Sequence, residues 1–81
     1  MDAHVKSARA KSLLEDEVLK DAFDVVREYH TSVFLDPEAG QGAIMEAARA
    51  VRSLSLIERQ LQSYVDDGRL LERKQRKGSA P

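Results

Sequence analysis

From Ala43 to Asp67 the chain has neither proline nor glycine, and its apolar residues recur with the period of an α-helix. Ala50, Leu54, Ile57, Leu61 and Tyr64 fall at alternating spacings of four and three, and Ile44, Ala47, Val51 and Val65 widen the stripe. A helix of this length is about 37 Å long. An apolar stripe along that length must be covered by another element, which points to helix-on-helix packing. Leu54, Ile57 and Leu61 are the expected packing residues. Gly68, just past Asp67, fits a C′ residue in the left-handed conformation, with Leu70 and Leu71 folding back as its hydrophobic contact. Asp66 and Asp67 oppose the helix dipole there, and Arg69 offsets them. A second reading continues the helix to Lys74.

The rest of the chain supplies the cover. Met1 to Leu14 reads as a short helix with a weak apolar face, expected to fray or to dock late. Glu15-Asp16-Glu17 then suits a break, with Asp16 as N-cap of a second helix. Ser12 and Glu15 match a capping box, and one uninterrupted helix from Ala3 to Val33 is the alternative. From Glu17 to Phe34, Leu19, Ala22, Val26, Tyr29 and Val33 step by three and four, broadened by Val18, Phe23 and Val25. Thr31-Ser32-Val33-Phe34 has poor helix propensity and marks the end. Asp36-Pro37-Glu38 is a helix-start signal, while Gly40 and Gly42 soften the turn that follows. The long helix therefore begins at Pro37 or at Ala43. So short a connection makes the two long helices antiparallel neighbours. The expected fold is all-α, an antiparallel helical hairpin with a short N-terminal helix. It forms a single domain over residues 1–73, followed by a disordered basic tail over residues 74–81.

Composition limits what such a body can do. With 81 residues and no cysteine, there is one small core and no disulfide or thiolate metal site to staple it. No apolar run is long enough to span a membrane, and Met1 to Leu14 lacks the apolar core of a secretory signal. The net charge of −1 is unevenly laid out. Residues 1–14 carry +2, residues 15–46 carry −7 and residues 47–81 carry +4. An acidic middle between basic ends attracts helices to each other within one chain, and equally between copies.

Side chains with chemistry are few. His4 and His30 are the only histidines, and neither has a second histidine three or four residues away. The acids of residues 15–28 read as a solvated helix face, because paired catalytic carboxylates need a pocket that separates their pKa values. Gly40-Gln41-Gly42 lacks the lysine and further glycine of a phosphate loop. Ser12, Ser53, Ser55 and Ser63 have no histidine at a suggestive distance in sequence. Neither catalytic residues nor a cofactor are assigned. The sharper pattern is a flank of the long helix opposite its apolar seam, carrying Met45, Arg49, Arg52, Leu56 and Arg59. Exposed Met and Leu among arginines match the composition of protein interfaces. Arg73, Lys74, Arg76 and Lys77 form a basic end that could contact nucleic-acid phosphates. The acidic overall balance and the scarcity of aromatics weigh against that use.

Several pieces also resemble a known group. Ala10-Lys11-Ser12-Leu13-Leu14-Glu15, the acidic proline-containing turn, Glu38-Ala39-Gly40, and Val65-Asp66-Asp67-Gly68-Arg69-Leu70 are similar to short helical proteins from structural and packaging gene regions of tailed bacteriophages and prophages. The likeness runs from about Ala10 to Leu71. In that group the second helix often opens with Asn-Pro, where this chain has Asp16-Glu17. The resemblance implies a context and not a mechanism. It points to a non-enzymatic virion-assembly or head-associated protein, in the host cytoplasm during assembly or in the virion. Its partners would be further copies of itself or a larger phage structural protein. The competing expectation is a DNA-binding packaging or regulatory protein of the small-terminase kind.

Overall fold

The computed structural model describes residues 1–79, with side chains described through Gln75. Three helices account for most of the chain: α1, Ala3–Glu15; α2, Glu17–Leu35; and α3, Gln41–Ser79. No strand occurs among the described residues.

Two aspartates start the first two helices. The Asp2 carboxylate accepts from the His4 N–H at 2.7 Å and caps α1. The Asp16 carboxylate accepts from the Leu19 N–H at 2.8 Å and caps α2. Asp16 also ends α1, its own N–H donating to the Leu13 carbonyl at 3.2 Å from an extended backbone, φ −69° and ψ 120°. One residue thus closes one helix and opens the next, and residues 3–33 form two helices. Ser12 lies inside α1 and is exposed, so the Ser12–Glu15 pattern caps nothing. At the far end of α2, the Thr31 hydroxyl donates to the Arg27 carbonyl and the Ser32 hydroxyl to the Tyr29 carbonyl, at 2.8 and 2.7 Å. α2 nonetheless runs through this segment of poor propensity as far as Leu35, with both hydroxyls bonded back to the preceding turn.

The connection departs from expectation. Asp36 does not start a helix. Its carboxylate accepts from the Glu38 N–H at 2.9 Å and its carbonyl from the Ala39 N–H at 3.1 Å, which folds Asp36-Pro37-Glu38 into a turn. The Gly40 carbonyl then takes a bond from the Ile44 N–H at 3.1 Å, and α3 runs from Gln41.

Gly68 is not a helix terminator. No described glycine has a positive φ, and α3 passes through Gly68 without interruption. Gly68 is buried, and a Cβ built there would stand 2.1 Å from Ser7 Oγ and 2.4 Å from Ser7 Cβ. The glycine serves close approach: α1 lies in the notch it leaves. The Ser7 hydroxyl donates to the Val65 carbonyl at 3.3 Å, within the same crossing. With α1 laid against it, and with good helix formers from Arg69 to Lys74, α3 continues beyond the expected domain boundary at Arg73 into the segment expected to be disordered. Residues 80 and 81 lie outside those described.

α1 packs along the C-terminal half of α3 and α2 along its N-terminal half, while α1 and α2 touch each other little. Paired residues run in opposite order on the two sides. Gln75 Nε2 lies 3.3 Å from His4 Nε2, and the Lys6 ammonium stands 4.8 Å from the centre of the Tyr64 ring. Arg27 binds Glu58. Nearer the connection, Tyr29, His30 and Val33 share a groove with Ala43, Glu46 and Ala47. α1 is therefore a principal cover of the long helix.

The seam on α3 follows Ala47, Val51, Leu54, Glu58, Leu61, Val65 and Gly68, each buried or half-buried. Ile57, expected in this seam, is 50% exposed. Glu58 occupies the line instead, because Arg27 meets it there, and a helix turned to face Glu58 inward rotates Ile57 to the flank. Ala22 and Tyr29 of α2 likewise point away, and the side facing α3 carries Leu19, Phe23, Arg27, His30 and Val33.

Such an arrangement buries little. Ala10, Ala47 and Val65 are the only buried hydrophobic side chains among the described residues. The molecule is a rod of 67 × 23 × 19 Å, with a radius of gyration of 18.1 Å, where about 12 Å is usual for a compact domain of this length. Its accessible surface is 6569 Å². A compact monomer of 9.1 kDa would expose about 4900 Å².

Candidate interaction surface

Met45, Arg49, Arg52, Leu56 and Arg59 step by four and three along α3, so they form one outward line opposite the seam. The structure places all five in solvent, with Met45 and Leu56 more than half exposed. Among the described residues, Arg49, Arg52 and Arg59 form no ion pair. Arg27 by contrast binds Asp24 at 3.7 Å as well as Glu58, and Arg69 reaches Asp66 at 4.0 Å. Three guanidinium groups and two large apolar side chains thus share a face with no intramolecular use.

The basic end is less concentrated. Arg73 and Lys74 are exposed on α3, and Arg73 shares a shallow hollow with Asp66, Arg69 and Leu70. The side chains of Arg76 and Lys77 lie outside those described. Among the described residues, neither the flank nor Arg73 and Lys74 are joined into a deep cleft.

A second surface stands on α2, where Val18 and Val25, expected to broaden the packing face of the helix, lie in solvent instead. Val18, Ala22, Val25 and Tyr29 step by four, three and four, and all are exposed, Val18 at 78% and Tyr29 at 69%. Glu17, Asp21 and Glu28 run beside this line. Among the described residues none of these three acids forms an ion pair, while Asp24 is taken up by Arg27. The signal was present in the sequence as Val18 and Val25, which do not fit the same stripe as Leu19 and Val33. Only the way α2 is turned, with Arg27 toward Glu58, shows which stripe is outermost.

A concavity lies at the joint of α1 and α2 over α3. It is a half-open cleft of about 290 Å³ lined by Leu13, Leu14, Leu19, Phe23 and Leu61, with Lys20, Asp24 and Glu58 at its rim. Arg27 already engages both of those acids, so the cleft offers apolar contact and little acid–base chemistry. Among the described residues, no three His, Cys, Asp or Glu side chains come together as a metal site. Among the described residues, no helix is long and apolar enough to cross a membrane. Comparison with protein-family models, curated proteins and solved structures finds no match to this chain.

Proposed function

We propose that this chain is a non-enzymatic assembly protein, a helical unit that works through contacts with further copies of itself or with a larger structural protein. The observation that carries this reading is the missing burial. The chain exposes about 1700 Å² more than a compact monomer of its mass, and that excess includes runs of large apolar side chains on α2 and α3. An obligate subunit contributes on the order of 1000–2500 Å² to its interfaces, so the excess matches what association would cover. The proposed unit is the antiparallel hairpin of α2 and α3, with α1 prolonging the α2 side. The resemblance to tailed-phage proteins supplies the setting: assembly of a virion, in the host cytoplasm or within the particle. The DNA-binding reading has less behind it, since the exposed bases lie on a convex rod and Arg73 shares its hollow with an acid.

Sedimentation equilibrium of the full chain tests the proposal. The expected result is a mass well above 9.1 kDa at high micromolar concentration, falling on dilution. A mass that stays at the monomer value throughout would overturn self-assembly.

A further inference from the structure

The two unpartnered stripes carry the same spacing with opposite charge. On α2, Asp21, Val25 and Glu28 read acid, apolar, acid, at steps of four and three. On α3, Arg52, Leu56 and Arg59 read base, apolar, base, at the same steps. In each trio the charged residues stand seven positions apart, about 10 Å along the axis. Both trios are exposed, and none of their charged members is in an ion pair among the described residues. They cannot meet within one chain: the α3 trio lies opposite the seam that α2 covers, and the α2 trio is turned away from α3.

We propose that these faces dock on each other between copies, the α2 stripe of one chain seating on the α3 arginine flank of the next. This inference rests on the reading of the chain as a self-assembling unit and names the contact. Laid side by side, the trios bring Asp21 to Arg52, Val25 to Leu56 and Glu28 to Arg59. Val18 and Tyr29 continue the apolar line beyond one acid each, and Met45 and Arg49 extend the α3 side, so each stripe covers about 16–21 Å of helix. Carboxylate–guanidinium pairs at the rim of an apolar strip fix register and partner choice, while the strip supplies the burial. Because the two faces differ, the contact is heterologous. Every copy offers one of each, and growth ends only if the rotation between copies closes a ring.

Charge reversal tests the pairing. One variant carries Asp21→Arg with Glu28→Arg, and the other carries Arg52→Glu with Arg59→Glu. All four positions are exposed, and circular dichroism should show unchanged helicity. By sedimentation velocity each variant alone is expected to associate at least tenfold more weakly than the parent. An equimolar mixture of the two should associate again, since each then meets an oppositely charged face, and so should a chain carrying all four changes. If the parent associates but either variant sediments as the parent does, or the mixture stays monomeric, this pairing is overturned while self-assembly stands. A monomeric parent overturns both.

Discussion

Ser7 packs directly against Gly68, and the balance at Gly68 can be weighed. Alanine would gain about 1 kcal/mol of helix propensity over glycine. Its Cβ would overlap both the Oγ and the Cβ of Ser7, and overpacking of this kind costs about 1–3 kcal/mol. Gly68→Ala should therefore lower the thermal midpoint despite its better propensity. In the Gly68→Ala background, Ser7→Gly should cost less than it does alone, so a double-mutant cycle read by thermal melting shows coupling. Additive effects would remove the steric account. Gly68 also shows what a sequence conceals. A glycine after two aspartates looks like a helix terminator, and only the arrival of α1 reveals that a side chain had to be absent for packing. Glu58 is similar: an acid in a seam is legible only once Arg27 is opposite it. By contrast, the exposure of Met45, Arg49, Arg52, Leu56 and Arg59 followed from spacing alone, because a stripe opposite the broadest apolar face has nowhere to go but solvent.

At the scale of elements, the break at Asp16 decides the arrangement. The Asp16 carboxylate caps α2 while its extended backbone redirects the chain between α1 and α2. Removing the side chain in Asp16→Ala should cost about 1 kcal/mol, read as a lower midpoint in urea denaturation, while Asp16→Asn should keep most of the stability. An alanine variant as stable as the parent would show that the cap is dispensable. The sequence made this break readable because an N-cap is local chemistry, a short polar side chain three residues ahead of the N–H it accepts from. The long helix and the all-helical class were readable for the same reason of local periodicity. The start of α3 was not, because Asp36-Pro37-Glu38 satisfies the rules for a turn as well as those for a helix start. The choice there depends on where the chain must go next. Nor was the division of labour between α1 and α2, since a weak apolar face with small residues gives little periodic signal even when it packs closely.

At the scale of the whole molecule, the rod owes its slenderness to having one layer on each side, and the surface left over is the reason to expect partners. The crossing at Gly68 adds a consequence about how such a rod could come apart. Among the glycines whose surroundings the structure describes, at positions 40, 42 and 68, only Gly68 has a residue of α1 against it. Ser7 has one keyhole. Moved a turn in either direction, it would meet a side chain where it now meets none, so α1 has no neighbouring position to slide into. A partner that competes for the C-terminal half of α3 must eject α1 as a block, swinging it about Asp16. Native-state hydrogen exchange should accordingly give the interior amides of α1, Ala8 to Leu14, one common opening free energy. A steady gradient along the helix would mean that α1 peels away residue by residue, and that the keyhole is no latch.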